Sequence, residues 1–126
     1  MNTSLTIAAL LSLFMGMVHS LMGEKYFLPR LYKPVLPFHL GTELFINRTL
    51  RTAWHFITLA WVAAALVLWL LAARFPLNDD VRTVGYILVG WYLASALLSL
   101  IISRGRHFSW VVLSAIAALT WLGIGG

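Results

Sequence analysis

The chain has 126 residues, the length of one domain, and 61% of them are hydrophobic whereas only 10% are charged. Soluble domains carry about 25% charged residues, so the composition excludes an ordinary soluble fold. It also excludes a nucleic-acid-binding role for the net charge of +5, because the basic residues lie between apolar runs. The chain contains no cysteine, which excludes disulfides, thiolate ligands and a cysteine nucleophile.

Four apolar runs follow one another along the chain, at residues 3–22, 52–73, 83–103 and 107–124. Each has roughly the 20 residues that a helix needs to cross the core of a bilayer. The first run lacks the basic start and the small-residue cleavage site of a signal peptide, so we expect it to be retained. The sequence therefore predicts an all-α, four-helix transmembrane bundle that forms a single domain over residues 1–126.

The connections between the runs differ in character. The one at about residues 23–51 is rich in aromatic and aliphatic residues and holds Pro29, Pro34 and Pro37. This pattern predicts an interfacial segment of short helical turns, with a helical lead-in to the second span between residues 42 and 51. The minimal turn at residues 103–106 predicts that helices three and four are antiparallel neighbours.

Basic residues are distributed unevenly over these connections. Two, Arg74 and Arg82, lie on one side of the predicted membrane; the other seven lie on the opposite side and are Lys25, Arg30, Lys33, Arg48, Arg51, Arg104 and Arg106. Lysine and arginine accumulate on the cytoplasmic side of membrane proteins. We therefore predict a multi-pass protein of the cell inner membrane with its N- and C-termini outside and the seven basic residues inside.

The histidines and glutamates all fall on that same predicted side. His19, Glu24, His55 and His107 lie near the ends of spans, and the pair His39 and Glu43 lies in the first connection. Ionisable groups at membrane depth are costly and are usually functional. His19 and Glu24 are five residues apart, so they would not share one face of a regular helix. Gly23 can break the helix between them.

Imidazoles and a carboxylate at similar depth are typical ligands of transition metals, and two facing histidines can hold a haem. We predict His19, His55 and His107 as metal ligands, with Glu24 as a fourth ligand or as a group that orients a histidine. The same pattern predicts that Arg51, Arg104 and Arg106 attract an anionic substrate or a lipid headgroup.

An alternative hypothesis is that the polar cluster is purely structural. Helix-end histidines can cap carbonyl groups, and glutamates can pair with the nearby cations. The chain would then be a non-catalytic accessory subunit or scaffold of a membrane complex. We expect as partners the bilayer, anionic lipid, other membrane subunits or a second copy, and no nucleic acid. We expect no Ser/His/Asp set, because Asp79 and Asp80 lie opposite the histidines; whether the chain is an enzyme stays open.

Three short motifs carry a family resemblance: His19-Ser20-x-x-Gly23-Glu24, Ala53-Trp54-His55, and Gly105-Arg106-His107-x-Ser109-Trp110. Together they resemble a group of small, uncharacterised four-helix proteins of bacterial inner membranes, generally called hypothetical membrane proteins. The resemblance covers most of the chain. It implies the same four-helix membrane fold, and it implies no particular activity or cofactor.

Overall fold

The computed structural model describes residues 1–31 and 43–125, which are helical apart from short connections. The elements are α1 (Thr3–Met22), a π-helical turn (Gly23–Phe27), α2 (Leu28–Leu31), α3 (Glu43–Ala73), α4 (Asp79–Ser103) and α5 (Ser109–Gly125). The all-helical prediction is confirmed for this part of the chain. Three segments are long and apolar enough to cross a membrane: Thr3–Arg30, Leu44–Ala73 and Asp79–Ser103. The fourth long helix, α5, is also apolar but has 17 residues.

The ends of the helices follow from local capping. Asn2 and Asn78 accept the N–H groups of Leu5 and Val81, so they cap α1 and α4. α4 therefore begins a little before the predicted residue 83. α3 already begins at Glu43, so the predicted lead-in to the second span is part of α3. The predicted interfacial segment is helical over the described residues 23–31, whereas its middle lies outside the described residues.

The turn between α4 and α5 needs left-handed backbone. Arg104 has φ 51° and Gly105 has φ 75°, and the Gly105 N–H bonds the Leu100 carbonyl at 3.0 Å. Glycine adopts this conformation at little cost, and the bond closes the end of α4. The turn makes α4 and α5 antiparallel neighbours, as predicted, and it leaves His107 in the connection before α5.

α1 is the central helix of the bundle. It packs against α3 and α5, and α4 packs against α5, whereas α3 and α4 touch each other little. A buried polar contact joins α1, α3 and α4: Ser12 Oγ donates to the Trp61 carbonyl at 3.0 Å and lies 2.5 Å from the Tyr92 hydroxyl. Because the single proton of Ser12 goes to Trp61, the Tyr92 hydroxyl donates to Ser12.

A row of small residues, at Ser12, Gly16 and Ser20 on α1 and at Gly23 in the π-helical turn that follows, faces α3. A Cβ atom on Gly16 would lie 3.6 Å from the carbonyl oxygen of Thr58, and one on Gly23 would lie 1.9 Å from Trp54 Nε1. Small residues spaced in this way let helix backbones approach closely. The row brings the end of α1 against the start of α3, which is where the histidines and Glu24 lie.

At the opposite end of the bundle, Asn2 ties three helices together. Its backbone N–H donates to the Ala72 carbonyl at 3.0 Å, and its side-chain Nδ2 donates to the Gly123 carbonyl at 3.0 Å. The start of α1 is thereby held to the ends of α3 and α5. Both ends of α1 are fixed, so the side chains at its C-terminal end project from a defined position.

Candidate functional site

Four polar side chains form a continuous chain of contacts between α1 and α3, which we call the Glu24 network: Ser20, Glu24, Arg51 and His55. Arg51 Nε and Nη2 donate to the two carboxylate oxygens of Glu24, each at 2.6 Å. His55 Nε2 lies 2.7 Å from Glu24 Oε1. His55 Nδ1 lies 3.2 Å from Ser20 Oγ. One carboxylate thus connects a guanidinium group, an imidazole and, through the imidazole, a hydroxyl group.

The spacing of these residues explains why they meet. Ser20 lies at the end of α1, and Glu24, four residues later, lies in the π-helical turn that continues it. Arg51 and His55 are four residues apart in the N-terminal half of α3. Residues at this spacing share one helix face. The two helices run antiparallel and approach closely at Gly23, so each pair faces the other. The helix does not break at Gly23 as the sequence suggested; it continues through a π-helical turn, a feature often found at functional sites.

The charges of the network are mutually satisfied. A bidentate arginine–carboxylate pair is strong and geometrically specific, and it keeps Glu24 ionised. An ionised carboxylate can only accept hydrogen bonds, so His55 Nε2 must donate to it. The side chains of Glu24, His55 and Arg51 are 36%, 35% and 57% exposed. The network therefore lies at the edge of the bundle and not in its core.

His19 lies beside the network in an aromatic setting. Its ring stacks on Trp54 with the centroids 4.3 Å apart and meets the edge of Trp61 at 5.1 Å. The Trp54 indole N–H also donates to the His19 carbonyl at 3.1 Å. His19 Nε2 is buried and has no hydrogen-bond partner. This nitrogen is a polar atom of His19 that the aromatic surroundings leave without a hydrogen bond.

His107 takes a different position from the other two predicted ligands. It is exposed in the connection before α5, its ring centroid is 6.1 Å from that of Phe27, and its backbone N–H contacts Ser103 Oγ at 3.4 Å. His107 thus reaches the end of α1 through Phe27, which also stacks near Trp54 at 5.6 Å. It contacts the aromatic surroundings of His19 and not the Glu24 network.

The predicted metal ligands are therefore gathered only in part. Glu24 and His55 are in direct contact, and His19 packs on the residue before His55. Within residues 1–31 and 43–125, no three histidine, aspartate or glutamate side chains form a group that could hold a metal ion. His39 lies outside the described residues, as does the side chain of Glu43. Metal or haem binding stays a prediction.

The three arginines predicted to attract anions also differ. Arg51 already binds the carboxylate of Glu24. Arg104 and Arg106 are exposed on the turn between α4 and α5, at the same end of the bundle. Arg104 and Arg106 present their charge outward, whereas the charge of Arg51 is paired with that of Glu24 although its side chain is 57% exposed.

Sequence reasoning missed two members of the site. Ser20 is not among the predicted ligands, although its four-residue spacing from Glu24 is the signal that both share one helix face. Trp54 is not among the predicted site residues either, yet its indole N–H bonds the His19 carbonyl and its ring stacks on the His19 ring. Its neighbour Gly23 carried the signal, since an indole can lie so close to a helix only where a Cβ atom is missing.

Comparison with known proteins adds no family to this description. No family model, no curated protein and no solved structure matches the chain. The resemblance to small four-helix proteins of bacterial inner membranes stays a prediction, and the function must be argued from the site itself.

Proposed function

We propose that the chain is a multi-pass protein of the inner membrane with both termini outside. The outer surface supports insertion, because large apolar side chains are exposed on all the long helices, among them Phe14, Phe56, Leu97 and Leu122, where a soluble protein would place polar ones. The excess of basic residues at the end that carries the Glu24 network supports a cytoplasmic position for that end. Reporter fusions at Gly126 test the orientation, and a cytoplasmic C-terminus would contradict it.

The function that the geometry supports best is that of a membrane scaffold or accessory subunit whose Glu24 network fastens α1 to α3. One observation carries this proposal: both carboxylate oxygens of Glu24 are taken by hydrogen bonds from α3. In a bilayer, helices gain little from hydrophobic burial against each other, so close packing and interhelical hydrogen bonds hold them together. A bundle fixed in this way presents constant faces to other subunits or to a second copy.

The fastening role predicts that Arg51→Gln destabilises the bundle more than Arg48→Gln. Both are exposed arginines of α3, and each change removes one positive charge, but only Arg51 is bonded to α1. We expect a lower unfolding midpoint for Arg51→Gln in mild-detergent micelles titrated with a denaturing detergent, followed by tryptophan fluorescence. Arg48→Gln should remain close to the wild type, because exposed charges without fixed partners contribute little. Equal midpoints for the two variants would contradict the role.

The same end of the bundle offers a surface for anionic lipid. Arg104 and Arg106 are exposed on the α4–α5 turn, and Lys25 and Arg48 are exposed on the α1 and α3 side. Basic residues beside a membrane span gain about 1 kcal/mol each from an anionic leaflet. We assign these residues to contacts with lipid headgroups. The test is the amount of anionic lipid that stays bound to the purified double variant Arg104→Gln/Arg106→Gln. If this amount equals that of the wild type, the α4–α5 turn does not bind anionic lipid.

A second candidate function is binding of a transition metal or haem, favoured by the buried, unpartnered Nε2 atom of His19. His19, His55 and His107 would be the ligands, and Glu24 would bind the metal or orient His55. The carboxylate of Glu24 accepts one hydrogen bond at Oε2 and two at Oε1, so a metal bound through Glu24 would share Oε2 with Arg51 or displace one of these donors. Elemental analysis and an absorption spectrum of the purified protein test this function. Stoichiometric metal or haem that is lost in His55→Ala supports it, and a metal-free protein that binds none when offered excludes it.

A further inference from the structure

The Glu24 network contains one contact that fastening does not require. Arg51 and His55 already bind Glu24 directly, whereas Ser20 is joined to the network only through His55 Nδ1, at 3.2 Å. Hydroxyl, imidazole and carboxylate are thereby arranged in a line, with the second contact of the line at 2.7 Å. This is the order of groups that activates a serine nucleophile: the hydroxyl beside a base, and the base beside a carboxylate that orients it.

The proton positions follow from the charges. Arg51 keeps Glu24 ionised, and the ionised carboxylate accepts a hydrogen bond from His55 Nε2. In the neutral imidazole the other nitrogen, Nδ1, then has a free lone pair. The only hydrogen that Ser20 can offer must point at that lone pair. The two ring nitrogens exchange the places they have in the serine protease triad, but the chemical roles of hydroxyl, base and carboxylate are the same.

We propose that Ser20 is a nucleophile, that His55 is its general base, and that acyl esters of amphiphilic, lipid-like molecules are its substrates. The surroundings support this substrate class. His55 and Glu24 are about one third exposed. The residues that follow Ser20 and His55, Leu21 and Phe56, are 65% and 64% exposed and provide an apolar surface.

Two positively charged side chains lie at the same end of the bundle as Ser20. Lys25 follows Glu24, and Arg48 lies one turn before Arg51; both are exposed. An amphiphile at this depth would rest its acyl chain on Leu21 and Phe56 and its anionic head near the cations. Its ester group would then lie between them, at the level of Ser20.

The proposed ester hydrolysis needs no reactant other than the ester and water. Ser20 Oγ bonds to the ester carbonyl carbon while its proton passes to His55 Nδ1. The carbon–oxygen bond to the alcohol breaks, and the departing alkoxide takes the proton from Nδ1, leaving an acylated Ser20. Water then attacks the acyl carbon and gives a proton to Nδ1, which returns it to Ser20 Oγ as the carboxylic acid is released. Glu24 stabilises the imidazolium formed in each half of the cycle.

Labelling with a fluorophosphonate probe tests the nucleophile. Oγ displaces fluoride from phosphorus and the serine proton passes to His55, so a stable phosphonyl adduct forms on Ser20. We expect the full-length protein in mild detergent to be labelled, with the adduct mapped to Ser20 by mass spectrometry. Ser20→Ala should abolish labelling, and His55→Gln should slow it about a hundredfold, as loss of a general base does.

Ser99→Ala is the matched control, because Ser99 lies at the same end of the bundle and contacts only another hydroxyl, that of Ser109, at 2.6 Å. Its labelling rate should equal that of the wild type. Fluorophosphonates with a long alkyl chain should react faster than compact ones; equal rates would overturn the lipid-like substrate class. Absence of labelling, or labelling that persists in Ser20→Ala, would overturn the nucleophile.

A cysteine variant tests directly whether His55 activates the side chain at position 20. The chain has no cysteine, so Ser20→Cys provides a single thiol beside His55. We expect its alkylation by iodoacetamide near neutral pH to be faster than that of Ser20→Cys/His55→Gln, because His55 promotes the thiolate. Equal rates would show that His55 is no base. The fastening role is tested separately, by the unfolding midpoints of Arg51→Gln and Arg48→Gln. Failure of one of the two proposals therefore leaves the other unaffected.

Discussion

Gly23→Ala is expected to destabilise the bundle by about 3 kcal/mol, the upper end of the usual cost of overpacking. The added Cβ would lie 1.9 Å from Trp54 Nε1 and 2.4 Å from Trp54 Cε2, so the indole must leave its place. Its hydrogen bond to the His19 carbonyl and its stacking on the His19 ring go with it. The free energy of unfolding, measured in mixed micelles by circular dichroism and fluorescence, should fall accordingly.

Two comparisons identify the clash with Trp54 as the cause. Gly90→Ala is the control on α4: nothing lies within 4 Å of its Cβ position, and it should stabilise the helix by up to about 1 kcal/mol. In a Trp54→Ala background the obstacle is gone, so Gly23→Ala should then cost little. A Gly23→Ala cost that is unchanged in this background would mean that the indole is not the reason.

Tyr92→Ala is expected to cost about 4 kcal/mol, as truncation of a buried aromatic side chain does. Tyr92 is the largest side chain among those that are fully buried, and its hydroxyl binds Ser12 between α1 and α3. Tyr92→Phe is the matched control, with an expected cost of about 1 kcal/mol, because Ser12 keeps its bond to the Trp61 carbonyl. Equal costs in the same unfolding assay would contradict the packing role of the ring.

The helices could be predicted from the sequence because each rests on a local pattern. The apolar runs match α1, α4 and α5 closely and the second run matches the C-terminal part of α3, and the turn at residues 103–106 correctly paired α4 with α5. The start of α3 at Glu43 lies well outside the second apolar run, since a helix that carries Arg48 and Arg51 on its exposed side can extend beyond the apolar segment. Helix length is set by backbone hydrogen bonding, whereas hydropathy indicates only the part that is apolar.

The candidate site could be predicted only as a grouping at one end of the bundle. That Glu24 and His55 are in contact depends on the close approach of α1 to α3 at Gly23, and this approach is a tertiary contact. The position of His107 at the end of a predicted span suggests that it lies beside the other histidines. In the structure it lies in the connection before α5, where its ring is near Phe27 and not near Glu24. Sequence spacing relates residues on one helix, but the angle between two helices decides which faces meet.

The limited contact between α3 and α4 has a consequence for how the chain assembles. α1 with α3, and α4 with α5, are two antiparallel hairpins, and they cohere through α1, α5 and the Ser12–Tyr92 contact. The segment at residues 74–78 connects the two hairpins, and its Phe75 and Leu77 side chains pack against the hydrophobic core. Under the proposed insertion into a membrane, we expect each hairpin to insert as a unit and to dock in a later step, as in the two-stage assembly of membrane helices. We therefore expect two separately synthesised halves, divided between α3 and α4, to associate with each other, because α1 still packs on α5 and Ser12 still contacts Tyr92.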